Sequence, residues 1–242
     1  MRRRTLTELA NNPDLISGIY NYCDRWCERC PLTSRCLVYA TEQEDNDSPE
    51  NRDIRNEAFW RKLSAILQET REMIVDWAQK AGVDLNANTD EDGTRHSRKR
   101  QLVDNHPLTK LGKKYANSAS DWFREFDQTV EVSDLEDARE VIQWYQYQIA
   151  VKTMRALSGR KEELDDPEVE DLPKDSDGSA KVALIGIDRS IAAWRMIQLS
   201  SPEWLEAIVP LILQLERLRQ RLERSFPQAQ DFVRPGFDEV MN

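Results

Sequence analysis

The sequence predicts an all-α protein: a helical bundle of about four long antiparallel helices, with an additional N-terminal helix and a Cys-rich metal-binding segment. Three observations carry this prediction. Glycine and proline are scarce, eight and ten in 242 residues, against many Leu, Ala, Glu, Arg and Gln, which favours helix over strand. Apolar residues recur at intervals of three and four over long stretches, the period of a helix with one buried face. Acidic connectors carrying helix breakers separate these stretches.

In chain order, residues 1–12 are a basic start, with Arg2, Arg3 and Arg4 read as solvated charges. Asn12-Pro13-Asp14 reads as a helix N-cap with Pro at the first helical position. The helix it opens carries Leu15, Ile16, Ile19, Tyr20, Tyr22 and Trp26 into a cysteine cluster and is ended by Pro31, after which a loop brings back Cys36. Residues 41–53 are an acidic connector. The pattern Ile54, Phe59, Leu63, Ile66, Leu67, Ile74, Trp77 and Ala78 predicts a helix over 54–81, stopped by Gly82. Residues 83–106 read as an irregular, exposed loop whose charge switches from acidic to basic at Arg95.

Four long helices are expected after that, over 107–127, 133–158, 179–199 and 201–225. The first carries Leu108, Leu111, Tyr115, Ala119, Trp122, Phe123 and Phe126. The second opens on the capping box Ser133-Asp-Leu-Glu136 and is closed by Gly159. The third is apolar nearly all round and so is the most buried. Asp188 stands in its middle, and a buried acid must be paired; Arg195, Lys152 and Arg155 are its candidate partners. The fourth has Ile208, Leu211, Leu215, Leu218 and Leu222 at heptad spacing, with a bend expected at Pro210. That face packs inside the bundle or supports a homodimer through 201–226. The organisation is thus 1–53 as metal-binding segment and connector, 54–226 as helical bundle, and 227–242 as a tail that docks through Phe232 and Phe237.

The chemistry concentrates in one place. All four cysteines, Cys23, Cys27, Cys30 and Cys36, lie in the spacing C-x3-C-x2-C-x5-C. Four soft ligands this close describe one metal or cluster site better than two disulfides or four inert buried thiols. No apolar run follows the basic start, so a secretory leader is not expected and a reducing compartment is. On an intact helix Cys23 and Cys30 lie roughly 10 Å apart, wider than the roughly 3.8 Å between thiolates around one zinc. That geometry places a 4Fe-4S iron–sulfur cluster slightly ahead of zinc. A helix broken near Cys27 makes Cys27-Glu-Arg-Cys30 a zinc knuckle instead.

The fragment C-x3-C-x2-C resembles the cluster motif of radical S-adenosylmethionine enzymes, and C-x2-C-Pro-x4-C is similar to segments holding auxiliary clusters in iron–sulfur proteins. The first resemblance implies a barrel, and no alternating strand–helix units are present to build one.

Elsewhere the chemistry is thin. Glu69, Glu72 and Asp76 sit on neighbouring turns, but neither His96 nor His106 follows a Glu by three residues, which excludes the paired motif of a di-iron bundle. A net charge of −10 argues against nucleic-acid binding through the whole surface, and Arg95, Arg98, Lys99 and Arg100 read as local charge pairing. No run approaches the roughly 20 apolar residues that span a bilayer. The expectation is a cytoplasmic metal-binding protein with an interaction or structural role and an unidentified protein partner, or alternatively an iron–sulfur redox enzyme or electron carrier.

Overall fold

The computed structural model describes residues 6–44, 50, 53–85, 90–126, 135–165 and 174–238. Its regular structure is helical, with no strand among the described residues. Eight α-helices follow in order: α1 (Leu6–Ala10), α2 (Leu37–Glu44), α3 (Glu57–Ala81), α4 (Asp90–Asn105), α5 (Pro107–Phe126), α6 (Glu136–Asp165), α7 (Asp175–Ser200) and α8 (Leu205–Ser225). The chain forms two compact units, Met1–Ser17 with Arg29–Ser97, and Gly18–Glu28 with Arg98–Asn242.

In the first unit, α1 packs against α2. The backbone of Ile16 donates to Arg35 O at 2.9 Å, and Arg35 Nε donates to Asp14 O at 3.3 Å. Helix α3 has the ends its sequence announces. Asn56 accepts from the Ala58 amide at 2.9 Å, and Gly82, in the left-handed region at φ 68°, returns its amide to Ala78 and Gln79.

The second unit is built around α7, which packs against α6 and α8, while α5 packs against the same two helices. Ile187, Trp194 and Ile197 of α7 are fully buried with Tyr115, Ile142, Tyr145, Ile149, Leu215 and Leu218. Gly186 lets α6 and α7 meet closely, because a Cβ there would lie 2.9 Å from the Tyr145 ring. One polar link crosses this core. Trp194 Nε1 donates to Tyr115 Oη at 3.0 Å, and burial pushes the Tyr115 phenol up to about 12.

Several expectations change. Residues 90–105, read as loop, are helix α4. They lack an apolar stripe, which is why the sequence pattern does not announce them. Helix α6 continues through Gly159 to Asp165, and that glycine instead lets the chain lie against Ser176, whose amide nitrogen would be 3.4 Å from a Cβ. Ser133 of the expected capping box lies outside the described residues. Helix α7 starts at Asp175, and Ser201 makes no side-chain cap; a 3₁₀ turn at Pro202–Trp204 precedes α8, which is continuous through Pro210.

Asp188 is not a buried acid. Its side chain is 55 % exposed and pairs with Arg219 of α8 at 2.9 Å, while Arg195 pairs with Glu216. The heptad residues Ile208, Leu211, Leu215, Leu218 and Leu222 are all buried within the chain.

Beyond α8, Phe232 is buried and Lys181 holds the tail: its Nζ donates to Gln230 O at 3.1 Å and Phe232 O at 2.6 Å. It also pairs with Asp238 at 2.8 Å. Burial works against the Asp238 carboxylate, but hydrogen bonds from Arg234 and Lys181 hold its carboxyl well below the usual range.

His106 caps α5: its Nδ1 accepts from the Leu108 amide at 3.2 Å, with Pro107 at the first helical position. Only the neutral ring can accept there, and burial lowers its pKa. The unfolded chain therefore binds the proton more readily, and stability is full above about pH 6.5 and falls as pH drops through the folded value. Urea midpoints measured from pH 7.5 down to about 5 should show this slope in the native chain. His106→Asn, a cap without a titration in that range, should flatten it.

Candidate functional site

The segment holding the cysteines is not a helix. Ile19–Asn21, Cys27–Arg29 and Thr33–Arg35 are separate 3₁₀ turns. Two left-handed residues break any longer helix: Gly18 at φ 72° and Arg25 at φ 58°. Asp24 and Asn12 reinforce the break locally, accepting from the amides of Trp26 at 3.2 Å and Asp14 at 3.0 Å. The intact helix on which the wide thiolate spacing was reckoned is therefore absent.

None of the four cysteines is in a disulfide, and all are of intermediate exposure. Cys23 and Cys27 belong to the Gly18–Glu28 stretch of the second unit, Cys30 and Cys36 to the first unit. Among the described residues, no group of three or more His, Cys, Asp and Glu side chains is assembled as a metal site. Cys23 Sγ donates to Tyr20 O at 3.5 Å. Burial pushes its thiol up, with the Lys152 ammonium acting in the opposite direction. Burial likewise pushes Lys152 down.

What the structure does assemble is an anchor for residues 18–28, made wholly within the second unit. Asp24 is its centre. The indole of Trp144 donates to Asp24 O at 2.8 Å, and the Gln148 side-chain amide donates to the same oxygen. The Asp24 carboxylate accepts from the Tyr145 hydroxyl and from Arg189, the latter at 2.8 Å. Burial, then the Asp24 carboxylate, raise the Tyr145 phenol well above its ordinary pKa.

One turn along α6, Lys152 Nζ and Arg155 Nη1 donate to Asn21 O at 3.1 and 3.2 Å. Asp175 then accepts from both Arg155 and the Tyr22 hydroxyl at 2.9 Å. Two aromatic contacts complete the anchor. Trp26 stacks on Trp144 with ring centroids 5.1 Å apart, and Tyr22 lies 4.7 Å from Phe232.

No protein-family model, curated protein or solved structure matches the chain. Its function is therefore argued from these residues alone. Spacing singled out the cysteines but not Asp24, Tyr145, Gln148 or Arg189. The available signal was weak: an aspartate directly after the first cysteine, and donors at 144, 148, 152 and 155 along one side of α6.

Two substitutions test the anchor. Asp24→Ala removes the acceptor shared by Tyr145 and Arg189 and should cost about 2 kcal/mol, the scale of hydrogen bonds to a charged group; the half-exposed Arg189 contributes least. Hydrogen exchange should speed up in residues 18–28 before the core of α6 and α7 responds. A Cβ at Gly178 would sit 2.4 Å from Tyr22 Cε1 and 2.7 Å from Phe232 Cζ. Gly178→Ala should thus displace both rings and lower the unfolding free energy by about 1–3 kcal/mol, read from the urea midpoint.

Proposed function

We propose that this is a metal-binding helical protein whose ligands are Cys23, Cys27, Cys30 and Cys36, and whose role is structural or interactive rather than catalytic. The observation that carries the reading is the spacing itself: every cysteine of the chain lies in C-x3-C-x2-C-x5-C. A preassembled quartet is not required. Thiolate–metal binding releases protons and commonly provides the free energy that orders its own ligands. The fit lies in the donor set, four thiols none of which is held in a disulfide. The turn at Cys27–Arg29 supports zinc by removing the objection an intact helix raised, and a 4Fe-4S cluster uses the same four ligands.

In the second unit we read α5 to α8 as an antiparallel four-helix bundle, each helix packing on two others. The cytoplasm is the compartment that suits four reduced thiols. A partner-binding rather than enzymatic role is supported by the character of the anchor, whose polar groups are engaged with one another.

Metal analysis and an absorption spectrum of protein purified without oxygen test the reading. A broad band near roughly 400 nm with about four irons per chain identifies a cluster, and reversible reduction of that band would favour electron transfer. A colourless protein with one zinc makes the site structural. Cys27→Ser should lose the metal and make the cysteine turns more sensitive to protease. Native protein that holds no metal as isolated, and takes up neither zinc nor iron after reduction, overturns the proposal.

A further inference from the structure

One side of α7 holds two stretches of chain that are remote from each other in sequence. Asp175, Gly178 and Lys181 follow at steps of three along it. Asp175 accepts from the Tyr22 hydroxyl at 2.9 Å. Gly178 leaves room for two rings at once, since a Cβ there would lie 2.4 Å from Tyr22 Cε1 and 2.7 Å from Phe232 Cζ. Lys181 takes the end of the chain. An ammonium has three donors, and the tail accepts all three, through Gln230 O at 3.1 Å, Phe232 O at 2.6 Å and the Asp238 carboxylate at 2.8 Å.

The tail is folded to be held at that point. Arg234 donates to the Asp238 carboxylate from its main-chain amide at 3.0 Å and from Nη2 at 2.8 Å. The Phe237 and Asp238 amides both return to Arg234 O at 3.1 Å, and Gly236, left-handed at φ 75°, turns the chain between them. Asp238 thus meets Lys181 as a fixed acceptor.

Tyr22 leans on this tail. Its ring lies 4.7 Å from the buried Phe232 ring, and the Phe232 carbonyl is one of the three that Lys181 holds. The hydroxyl's partner, Asp175, is half exposed, and water readily replaces a hydrogen bond in that setting. Cys23 comes next in the chain, with its Sγ donating to Tyr20 O at 3.5 Å.

We propose that residues 226–238 are a strap latched by Lys181, and that its docking on α7 is coupled to the docking of Tyr22, so that unlatching it loosens the stretch presenting Cys23. Lys152 and Arg155 still hold Asn21 O when the strap opens, so the stretch loosens without leaving. A coupling between two such equilibria is reciprocal.

Hydrogen exchange of the full chain, with a metal chelator present, tests the strap independently of the metal reading. Lys181→Met keeps the stem and removes the three donors. Exchange should speed up at the Phe237 and Asp238 amides. It should also rise about fivefold, the low end of couplings between sites, at the Asn21 and Tyr22 amides, which donate to Gly18 and Ile19. The amides of Ile187 and Trp194 in the core should not respond. Alkylation of Cys23 by iodoacetamide should rise relative to that of Cys36. Asp238→Asn should act in the same direction with a smaller effect, and serves if Lys181→Met disturbs the core.

In the reverse direction, Tyr22→Leu should speed exchange at Phe237 and Asp238, whereas Tyr22→Phe, which keeps the ring, should not. A tail loosened with Asn21, Tyr22 and Cys23 unchanged, a tail indifferent to both latch variants, or a tail indifferent to Tyr22→Leu overturns the proposal.

Discussion

The second unit depends on one constraint: α7 has apolar residues on nearly every side and must be covered from several directions. Residues from Ser176 to Ile197 are buried on faces that no single neighbour can reach. Helices α6 and α8 cover it, and α5 closes against both. Glycines at 178 and 186 sit where neighbouring groups come closest, so backbone and rings replace side chains at those points. On the side of α7 that faces α8, Asp188 and Arg195 meet Arg219 and Glu216. Such exposed pairs contribute little stability; their value lies in fixing which way α7 is turned.

The irregular stretch 18–28 meets a different physical demand. Non-helical backbone laid on a protein surface has carbonyls that lose water without gaining a ladder partner. Helix α6 supplies side-chain donors to two of these carbonyls, at Asn21 and Asp24. The Asp24 carboxylate adds a link through Arg189 to α7. Stacking of Trp26 on Trp144 then shields the polar contacts. Low local dielectric strengthens hydrogen bonds that are made and penalises those that are lost, so the anchor should form or fail as a group.

Long-period patterns made α3 and α5 to α8 legible from sequence, because apolar residues such as Ile142, Tyr145 and Ile149 repeat for several turns on one face. Helix α4 was not legible, since a polar helix leaves no stripe to count. The end of α6 was misread because a glycine inside a helix looks like a stop when the neighbour it accommodates, Ser176, is unknown. Asp188 looked buried because its sequence neighbours are apolar, although helical geometry turns it outward. For the cysteine segment, apolar residues at helical spacing suggested a continuous helix. Left-handed Gly18 and Arg25 and the side-chain bonds of Asp24 override that periodicity. The contacts of Asp24 with α6 and α7 join residues far apart in the chain, and no local pattern encodes them.

Helix α6 grips the cysteine-bearing stretch chiefly by main-chain oxygen atoms. Lys152 and Arg155 address the carbonyl of Asn21, and Trp144 and Gln148 that of Asp24. At Asn21 a grip of this kind is blind to what projects from the gripped residue. Asn21 can be exchanged without altering either contact. The chain thereby separates holding a segment in place from the chemistry the segment displays, so the displayed side chains can drift or specialise while the handle that carries them stays the same.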